Sequence, residues 1–451
     1  MRTLWFDTAL VDGVWADRVR LEISDGVIAE IRTGVAAEPG DERHAIGLPG
    51  LPNLHSHAFQ RGMAGLAEAR GPAGDDFWSW RELMYRFLDR LGPDDVEAIA
   101  AQAYAEMLES GFTRVGEFHY LHHDASGRPY AAPAEMASRI AAAAETSGVA
   151  LTLLPVFYAH GGFGGAAPGA GQRRFLSDVD SYAKLLEASR AAVSALPDAV
   201  IGVAPHSLRA VTPEELSAIL PLAGSGPVHI HIAEQSREVA DCLAWSGKRP
   251  VEWLFEAMPV DQRWCLVHAT HMTELERATL ARSGAIAGLC PITEANLGDG
   301  IFPAAAYLDE DGGFGIGSDS NVRIDAAEEL RLLEYGQRLQ GQARCVLGTG
   351  ERPSVGASLF ISALRGGARA LGVGAGIAPG CSADIISLDA CDPSLVGRKG
   401  DALLDSWIFA SRSGINCVWR RGIKMVEGGR HRRRDEIGQR FATTLSRLLD
   451  I

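Results

Sequence analysis

Through the central part of this chain, segments with the composition of buried strands alternate with longer helical segments. The helical segments 94–110, 134–147, 178–195 and 213–223 carry Ala, Leu and Glu at helical spacing. The strand candidates are 51–57, 111–120, 150–160, 200–207, 227–234, 263–270, 285–290 and 314–320. Strand–helix alternation over about 300 residues predicts a parallel sheet, and eight such units would close into a (β/α)8 barrel of the TIM type.

The two ends of the chain differ from its centre, because short strand candidates there are separated by glycine turns. Near the start, Asp-Gly pairs at 12–13 and 25–26 have the chemistry of hairpin turns. β-branched and aromatic residues around glycines return at 383–389 and 415–431. The predicted units are one small β-domain from 1–48 plus 375–435, the barrel from 49–374, and a C-terminal helix over 436–451.

Composition excludes several classes of protein. With 47% hydrophobic residues the 451-residue chain can bury a large core. Its 43 basic residues against 57 acidic ones disfavour binding to nucleic acid or to a membrane surface. The seven cysteines form no CxxC pair, and the N-terminal residues have no signal-peptide pattern, so we expect reduced thiols and a cytoplasmic location. A homodimer is the default expectation for a chain of this class.

Polar residues recur where the strand candidates end. The first such strand ends in LPNLHSH (51–57), which places the side chains of His55 and His57 on the same face. Further polar residues follow later strands; they are His119, Tyr120, His206, His229, His231, Glu234, His268, His271 and Asp319. In a (β/α)8 barrel all these strand ends meet at one rim, where active sites lie.

Three histidines with one aspartate suit Zn²⁺ or Fe²⁺ and leave a coordination position open for water. The predicted ligands are His55, His57, His231 and Asp319. A hard cation such as Mg²⁺ would favour more carboxylates and fewer imidazoles. We therefore expect one divalent metal per subunit, with zinc favoured and ferrous iron as the alternative.

The motifs LPNLHSH, HIHIAE, LVHATH and GIGSDS, in this order, resemble those of the amidohydrolase superfamily, specifically its mononuclear aminohydrolase branch. The β-rich ends are similar to that superfamily's small β-sandwich, and no bridging lysine is apparent at a mid-barrel strand end. A closer resemblance, to the formimidoylglutamate deiminase family, rests on longer strings. They are NLHSHAFQRGMAGLAE (53–68), FWSWRELMYR (77–86), EFHYLHHD (117–124), HSLRAVTP (206–213), HIHIAEQ (229–235), DQRWCLVHATH (261–271) and ITEANLGDGIFPA (292–304).

The resemblance implies hydrolysis of N-formimino-L-glutamate to N-formyl-L-glutamate and ammonia, a step of histidine degradation, by attack of a metal-bound hydroxide on the formimino carbon. Its implied catalytic residues are His268 and Asp319, which would hold and deprotonate the water, and Glu234, which would pass a proton to the departing nitrogen.

The implied substrate is a small dicarboxylate, so its pocket needs cations and hydrogen-bond donors. Arg81 and Arg209 are the predicted carboxylate partners, because a guanidinium binds a carboxylate through two parallel hydrogen bonds. Gln60, Tyr120 and His206 match family positions near the substrate. We expect Trp78 and Trp80, beside Arg81, to pack within a lid.

Some interpretations stay open. The family usually has histidine after Ser-Asp-Ser, whereas this chain has Asn321. His122 and His123 are expected to be exposed loop residues or contributors to a lid, and His229 to pack deeper in the barrel. The alternative functions are an aminohydrolase acting on another amidine or a nucleobase-type substrate, and a scaffold of the same fold without catalysis.

Overall fold

A computed structural model describes residues 2–70, 76–412 and 414–449. The strands are β1 Arg2–Val11, β2 Val14–Ser24, β3 Val27–Arg32, β4 Glu42–Pro49, β5 Leu51–Ser56, β6 Phe112–His119, β7 Ala150–Phe157, β8 Val200–Ile201, β9 Ala204–Pro205, β10 Val228–Ile232, β11 Trp264–His268, β12 Ile286–Leu289, β13 Gly313–Ile316, β14 Ile385–Leu388, β15 Ile415–Arg420, β16 Ile423–Glu427 and β17 Arg430–His431.

The helices are α1 Phe77–Leu88, α2 Pro93–Glu109, α3 Glu135–Ser147, α4 Val179–Val193, α5 Pro213–Ile219, α6 Ser236–Ser246, α7 Pro250–Ala257, α8 Glu274–Ser283, α9 Pro291–Leu297, α10 Ala304–Asp309, α11 Ala326–Gly341, α12 Val355–Ala370, α13 Asp401–Phe409 and α14 Arg434–Leu449. Among the described residues, none of these helices combines the length and the apolar composition needed to cross a bilayer.

The central strands form two parallel sheets that meet at both edges. One has the order β5-β6-β7-β8, with β9 beside β7, and the other has the order β10-β11-β12-β13. A bridge between Ser56 and Asp319 joins the end of β5 to the residues after β13, and bridges from Val203 and Ser207 reach β10. The strand segments therefore follow one another in a ring, and their carboxyl ends share one rim. This arrangement agrees with the predicted barrel.

Both ends of the chain contribute to a third sheet. Its order is β17-β16-β15-β14-β4-β1-β2-β3, so C-terminal strands pair with N-terminal ones through β14 and β4. At each predicted hairpin turn, the Asp and the Gly both have positive φ: 47° and 78° at 12–13, and 53° and 85° at 25–26. Such turns favour Asp-Gly because two consecutive residues must adopt this conformation. The exact domain boundaries stay a prediction.

Predicted and observed elements agree within a few residues over most of the chain. The C-terminal helix begins at Arg434, two residues before the predicted start, and residues 450–451 of that prediction lie outside the described residues. The segment 291–297, which follows β12, is a helix that periodicity did not predict.

A network of two buried arginines and two half-buried aspartates joins the barrel to the third sheet at the end opposite the rim. Arg114, near the start of β6, donates to the Asp198 carboxylate at 2.8 Å. Arg420, at the end of β15, donates to the same carboxylate at 2.9 and 3.0 Å and also pairs with Asp384. The single Asp198 carboxylate thus accepts from two arginines that belong to different sheets.

Candidate active site

The four predicted metal ligands meet at the rim. His55 and His57 end β5, His231 lies near the end of β10, and Asp319 follows β13. All four side chains are buried, and each offers a ligand atom within 4.8 Å of the other three. Residues separated by up to 264 positions are brought together because the parallel strands end at one edge.

The distances within this group fit a tetrahedral metal. His55 Nε2 lies 3.3 Å from His57 Nε2 and 3.0 Å from His231 Nε2. Asp319 Oδ1 lies 3.4 Å from His55 Nε2 and 3.3 Å from His57 Nε2. Ligands bonded at 2.0–2.1 Å around one tetrahedral ion are about 3.4 Å apart. The same atoms brought together without a cation would leave imidazole nitrogens facing one another.

Hydrogen bonds to the other ring nitrogens orient two of these imidazoles. His57 Nδ1 donates to the backbone carbonyl of Phe118 at 2.9 Å, and His231 Nδ1 donates to that of His206 at 3.0 Å. Each bond fixes the tautomer in which Nε2 carries a lone pair toward the centre, as in metal-binding histidines generally.

Electrostatics also favour this protonation state. Burial lowers the pKa of His55 to about 3 and lowers the pKa values of His57 and His231. Burial by itself would raise the pKa of Asp319, but its hydrogen bond to His55 and the positive charge of His268 outweigh this effect, so that pKa lies below its usual range. The group therefore presents neutral imidazoles and a carboxylate, which are the forms that bind a metal.

The predicted acid–base residues lie beside this group. His268 Nε2 is 3.8 Å from Glu234 Oε1 and 3.9 Å from Asp319 Oδ2. Burial raises the pKa of Glu234 to about 7, which suits a group that takes up and releases a proton near neutrality. Burial would lower the pKa of His268, but the carboxylates of Glu234, Glu294 and Asp319 outweigh it and raise that pKa to about 10.

Two buried glutamates that the sequence interpretation missed support these residues. Glu294, on α9, is 3.2 Å from His268 Nδ1 and accepts from the backbone N–H of Cys290. Glu238, on α6, accepts from the backbone N–H groups of Ala233 and Glu234, both at 3.2 Å. Glu238 is the residue four positions after Glu234, in the first turn of the helix after β10, and its carboxylate fixes the backbone that carries Glu234.

The backbone at the rim adopts a conformation that is rare outside glycine. Ala233, His268, Ala269, Asp319 and Asn321 have φ values of 51°, 68°, 48°, 40° and 54°. Non-glycine residues in this region cluster at functional sites, where surrounding contacts offset a cost of about 1–3 kcal/mol each. Here this conformation directs the side chain of His268, at the end of β11, and that of Asp319, after β13, toward the metal-ligand group.

A pocket opens above the His/Asp group. All five predicted substrate-binding residues line it: Gln60, Arg81, Tyr120, His206 and Arg209. Within it, Gln60 Nε2 donates to the Tyr120 hydroxyl at 3.0 Å. The sequence interpretation missed four further residues that line the pocket. Met84 and Tyr85 lie on α1, Tyr158 directly follows β7, and Phe175 lies in a loop.

Two arginines supply positive charge to this pocket. Arg81, on α1, stacks its guanidinium on the Trp78 ring at 4.4 Å, and Arg209 lies 5.9 Å from the same ring. Within the described residues, the buried Nε atoms of both arginines have no hydrogen-bond partner. The nearest carboxylate to Arg209 is Glu234, at 4.0 Å. Trp78 therefore packs on the arginines, which agrees with the predicted packing role.

The remaining histidines and Asn321 lie outside the pocket lining. The expectation that His122 is exposed is wrong: it is buried, and its Nε2 bonds to the Val156 carbonyl at 2.9 Å. His229 bonds to the Ala370 carbonyl at 2.7 Å. Asn321 is buried and donates to Ser56, His57 and Asp319, all within 3.1 Å, so it ties the end of β5 to the turn that carries Asp319.

The fold and this centre define a hydrolase of the amidohydrolase type, and comparison with known proteins agrees. Residues 46–424 match the model "Amidohydrolase family", and residues 1–45 match "Formimidoylglutamate deiminase HutF, N-terminal domain". The chain is 51% identical to a formimidoylglutamate deiminase of Pseudomonas aeruginosa, with both chains covered completely. The chain therefore belongs to the amidohydrolase family and, within it, to the formimidoylglutamate deiminases.

The chain is also similar to a more distant relative and to solved structures. A 5-methylthioadenosine/S-adenosylhomocysteine deaminase of Natronomonas pharaonis is 28% identical over 82% of this chain and 81% of its own. A crystal structure of an amidohydrolase from Brucella melitensis is 56% identical, with a TM-score of 0.97 and complete coverage of both chains. A zinc-bound adenosine deaminase from Xanthomonas campestris, 22% identical, has the same fold, with a TM-score of 0.81 and coverage of 100% of this chain and 98% of its own.

Proposed function

We propose that this protein hydrolyses N-formimino-L-glutamate to N-formyl-L-glutamate and ammonia. Full-length similarity to a formimidoylglutamate deiminase supports the reaction. Within the structure, the observation that carries the proposal is the presence of Arg81 and Arg209, with unpaired buried Nε atoms, in the same pocket as the His/Asp centre. A dicarboxylate would supply the acceptors that these guanidinium groups need.

The divalent metal would be held by His55, His57, His231 and Asp319, whose spacing and protonation fit Zn²⁺. When bound, a cation of this kind polarises a water molecule and lowers its pKa to near 7. Imidazole nitrogens also suit Fe²⁺, but we propose zinc. The zinc-bound fold relative supports this choice. A cytoplasmic location and a homodimer belong to the same proposal.

Glu234 and His268 would handle the protons. Water adds to the formimino carbon, the bond from that carbon to the terminal nitrogen breaks, and the nitrogen leaves as ammonia. Glu234, with a pKa of about 7, would accept the two protons of the water in turn and deliver both to the departing nitrogen. His268, held between Glu234, Asp319 and Glu294, would hydrogen-bond to the attacking water and stabilise the charge that develops on its oxygen.

Other residues that line the pocket would fix the glutamate part of the substrate. Arg81 and Arg209 would bind its two carboxylates, and the Trp78 ring would keep the Arg81 guanidinium in place. Gln60, Tyr120 and His206 would donate to the remaining polar atoms. The distance between the two arginines and the His/Asp group would then determine which length of substrate fits the pocket.

Ammonia release tests this function. We expect zinc-loaded protein to release ammonia from N-formimino-L-glutamate and far less from N-formimino-L-glutamine, which lacks one carboxylate. N-formimino-L-aspartate measures the tolerance for a shorter chain, and 5-methylthioadenosine tests the nucleoside alternative. Turnover of the nucleoside without turnover of N-formimino-L-glutamate would overturn the proposal, and no turnover of either by metal-loaded protein would favour the scaffold alternative.

A further inference from the structure

A second set of ligand atoms adjoins the first. A ring nitrogen of His268, the Cys290 thiol and an oxygen of the Asp319 carboxylate lie within 4.8 Å of one another, and all three residues are buried. Cys290 follows β12 directly and packs beneath the rim. None of the roles described above involves this thiol, and a thiol with an imidazole and a carboxylate is a donor set that binds thiophilic cations.

The two oxygens of Asp319 face different groups. Oδ1 lies 3.4 Å and 3.3 Å from the Nε2 atoms of His55 and His57, whereas Oδ2 lies 3.9 Å from His268 Nε2. One carboxylate can therefore bridge between two cations, one in each set. Because Asp319 already belongs to both groups, no large movement of the backbone is needed to bring the second set together.

His268 is oriented in the way that metal-binding histidines are. Its Nδ1 lies 3.2 Å from Glu294 Oε1, which leaves Nε2 directed toward Asp319 and Glu234. A carboxylate on the far ring nitrogen is a common partner of a ligating imidazole. Glu234 Oε1 lies 3.8 Å from the same Nε2 but does not belong to the group of mutually close ligand atoms, so the donor set consists of one imidazole, one thiol and one carboxylate.

We propose that His268, Cys290 and Asp319 form a second cation site that takes a thiophilic divalent ion such as Zn²⁺ or Cd²⁺ and inhibits the enzyme. Binding forms a metal–sulfur bond as the thiol releases its proton to solvent. His268 Nε2 also releases its proton to solvent and then donates its lone pair to the ion. His268 is then no longer available to hydrogen-bond to the attacking water, while the first cation stays on His55, His57 and His231.

The test uses protein loaded with one equivalent of zinc. Because Cys345 and Cys391 are exposed and Cys381 is half-buried, all three are replaced by serine in every variant, which removes the accessible competing thiols. Cadmium is then added, and four quantities are measured: bound zinc, bound cadmium, ammonia release and the ultraviolet charge-transfer absorption from thiolate to cadmium. We expect a second equivalent of metal to bind with retention of zinc, a thiolate absorption band to appear, and activity to fall in parallel.

Cys290→Ser should remove the absorption band and raise the cadmium concentration for half-inhibition at least about tenfold, the loss caused even by removing an outer partner of a metal ligand. Cys265→Ser is the matched control, since Cys265 is an equally buried thiol outside the cluster and should leave both readouts unchanged. Cys290→Ala and thermal unfolding distinguish loss of the ligand from loss of the fold.

Two results would overturn the second site. One is inhibition of unchanged potency in Cys290→Ser, and the other is displacement of zinc by cadmium with no thiolate band in the protein that retains Cys290. Metal binding and the absorption band do not depend on the deiminase reaction. A failure of the proposed function would therefore show as absent ammonia release with the band still present.

Discussion

The two ends of the barrel differ in how their charged and ionisable side chains are paired. At the end that faces the third sheet, Asp198 accepts from Arg114 and Arg420, and Arg420 also pairs with Asp384. At the rim, imidazole nitrogens face one another at 3.0–3.3 Å, and Arg81 makes no ion pair within the described residues. The ion pairs of Asp198 hold two sheets together. The imidazoles and Arg81 at the rim are instead suited to bind a cation and an anionic ligand.

This comparison predicts that substitutions at the rim change chemistry with little effect on stability, and that substitutions at the opposite end do the reverse. The largest effect is expected for Glu234→Gln, which should lower kcat about 10²–10⁴-fold because the proton acceptor is lost. Metal content and thermal unfolding should stay unchanged. Steady-state ammonia release measures this, with the exposed Glu187→Gln as control. A variant that loses its metal instead would show that Glu234 mainly shapes the centre.

At the opposite end, Asp198→Ala should lower the free energy of unfolding by about 3 kcal/mol, because two buried arginines lose their shared partner. This value is the lower end of the range for a buried pair, since the Asp198 side chain is 20% exposed. Urea unfolding measures the change, and the exposed Asp7→Asn is the control. The folded variant should keep its kcat/KM, and a large fall in kcat/KM would contradict the division between the two ends.

Removing one pocket arginine should weaken recognition of the substrate. Arg81→Met or Arg209→Met should each lower kcat/KM about 10–100-fold for N-formimino-L-glutamate, since a hydrogen bond to a charged group contributes about 1.5–3 kcal/mol. The exposed Arg128→Met is the control. For a substrate with one carboxylate, the fall in kcat/KM should be smaller than for N-formimino-L-glutamate in at least one of the two variants. Equal losses for both substrates in both variants would indicate that the arginines shape the pocket without binding carboxylates.

Acid should affect the end opposite the rim first through Asp198. Burial would raise the pKa of this carboxyl, but Arg420 and Arg114 outweigh burial and lower it. A carboxyl whose pKa is lowered by folding stabilises the folded state at pH values above its pKa in the unfolded chain, about 3.9. This stabilisation is lost as the pH falls through its pKa in the folded protein. The difference in unfolding free energy between wild type and Asp198→Asn should therefore shrink as pH falls below about 4. A difference that stays constant with pH would refute this assignment.

The smallest effect is expected at Trp78. Replacing the ring by leucine removes the stacking that holds Arg81 and should raise KM about two- to fivefold, the equivalent of about 0.5–1 kcal/mol for a partly exposed cation–π pair. The conservative Trp78→Phe should recover most of this loss. A change in kcat with constant KM would assign Trp78 a different role.

Much of the site could be predicted from the sequence, for a specific reason. Parallel strands end at one rim, so a polar residue after each strand locates the site without any distance measurement. This logic predicted His55, His57, His231 and Asp319, and the family resemblance added Arg81 and Arg209. It missed Tyr158 and Phe175, because aromatic residues near strand ends and in loops look the same whether they pack in the core or line a pocket.

What the sequence by itself determined is the alternation of elements, the Asp-Gly turns and the donor types at strand ends, all of which depend on neighbours within a few residues. Only the tertiary structure decided that Glu294 meets His268 and that Asp198 joins two sheets. It likewise decided that Cys290 adjoins Asp319 and that His268 and Asp319 adopt positive φ. These features depend on how strands distant in the chain lie against one another, and local propensity carries no signal for such packing.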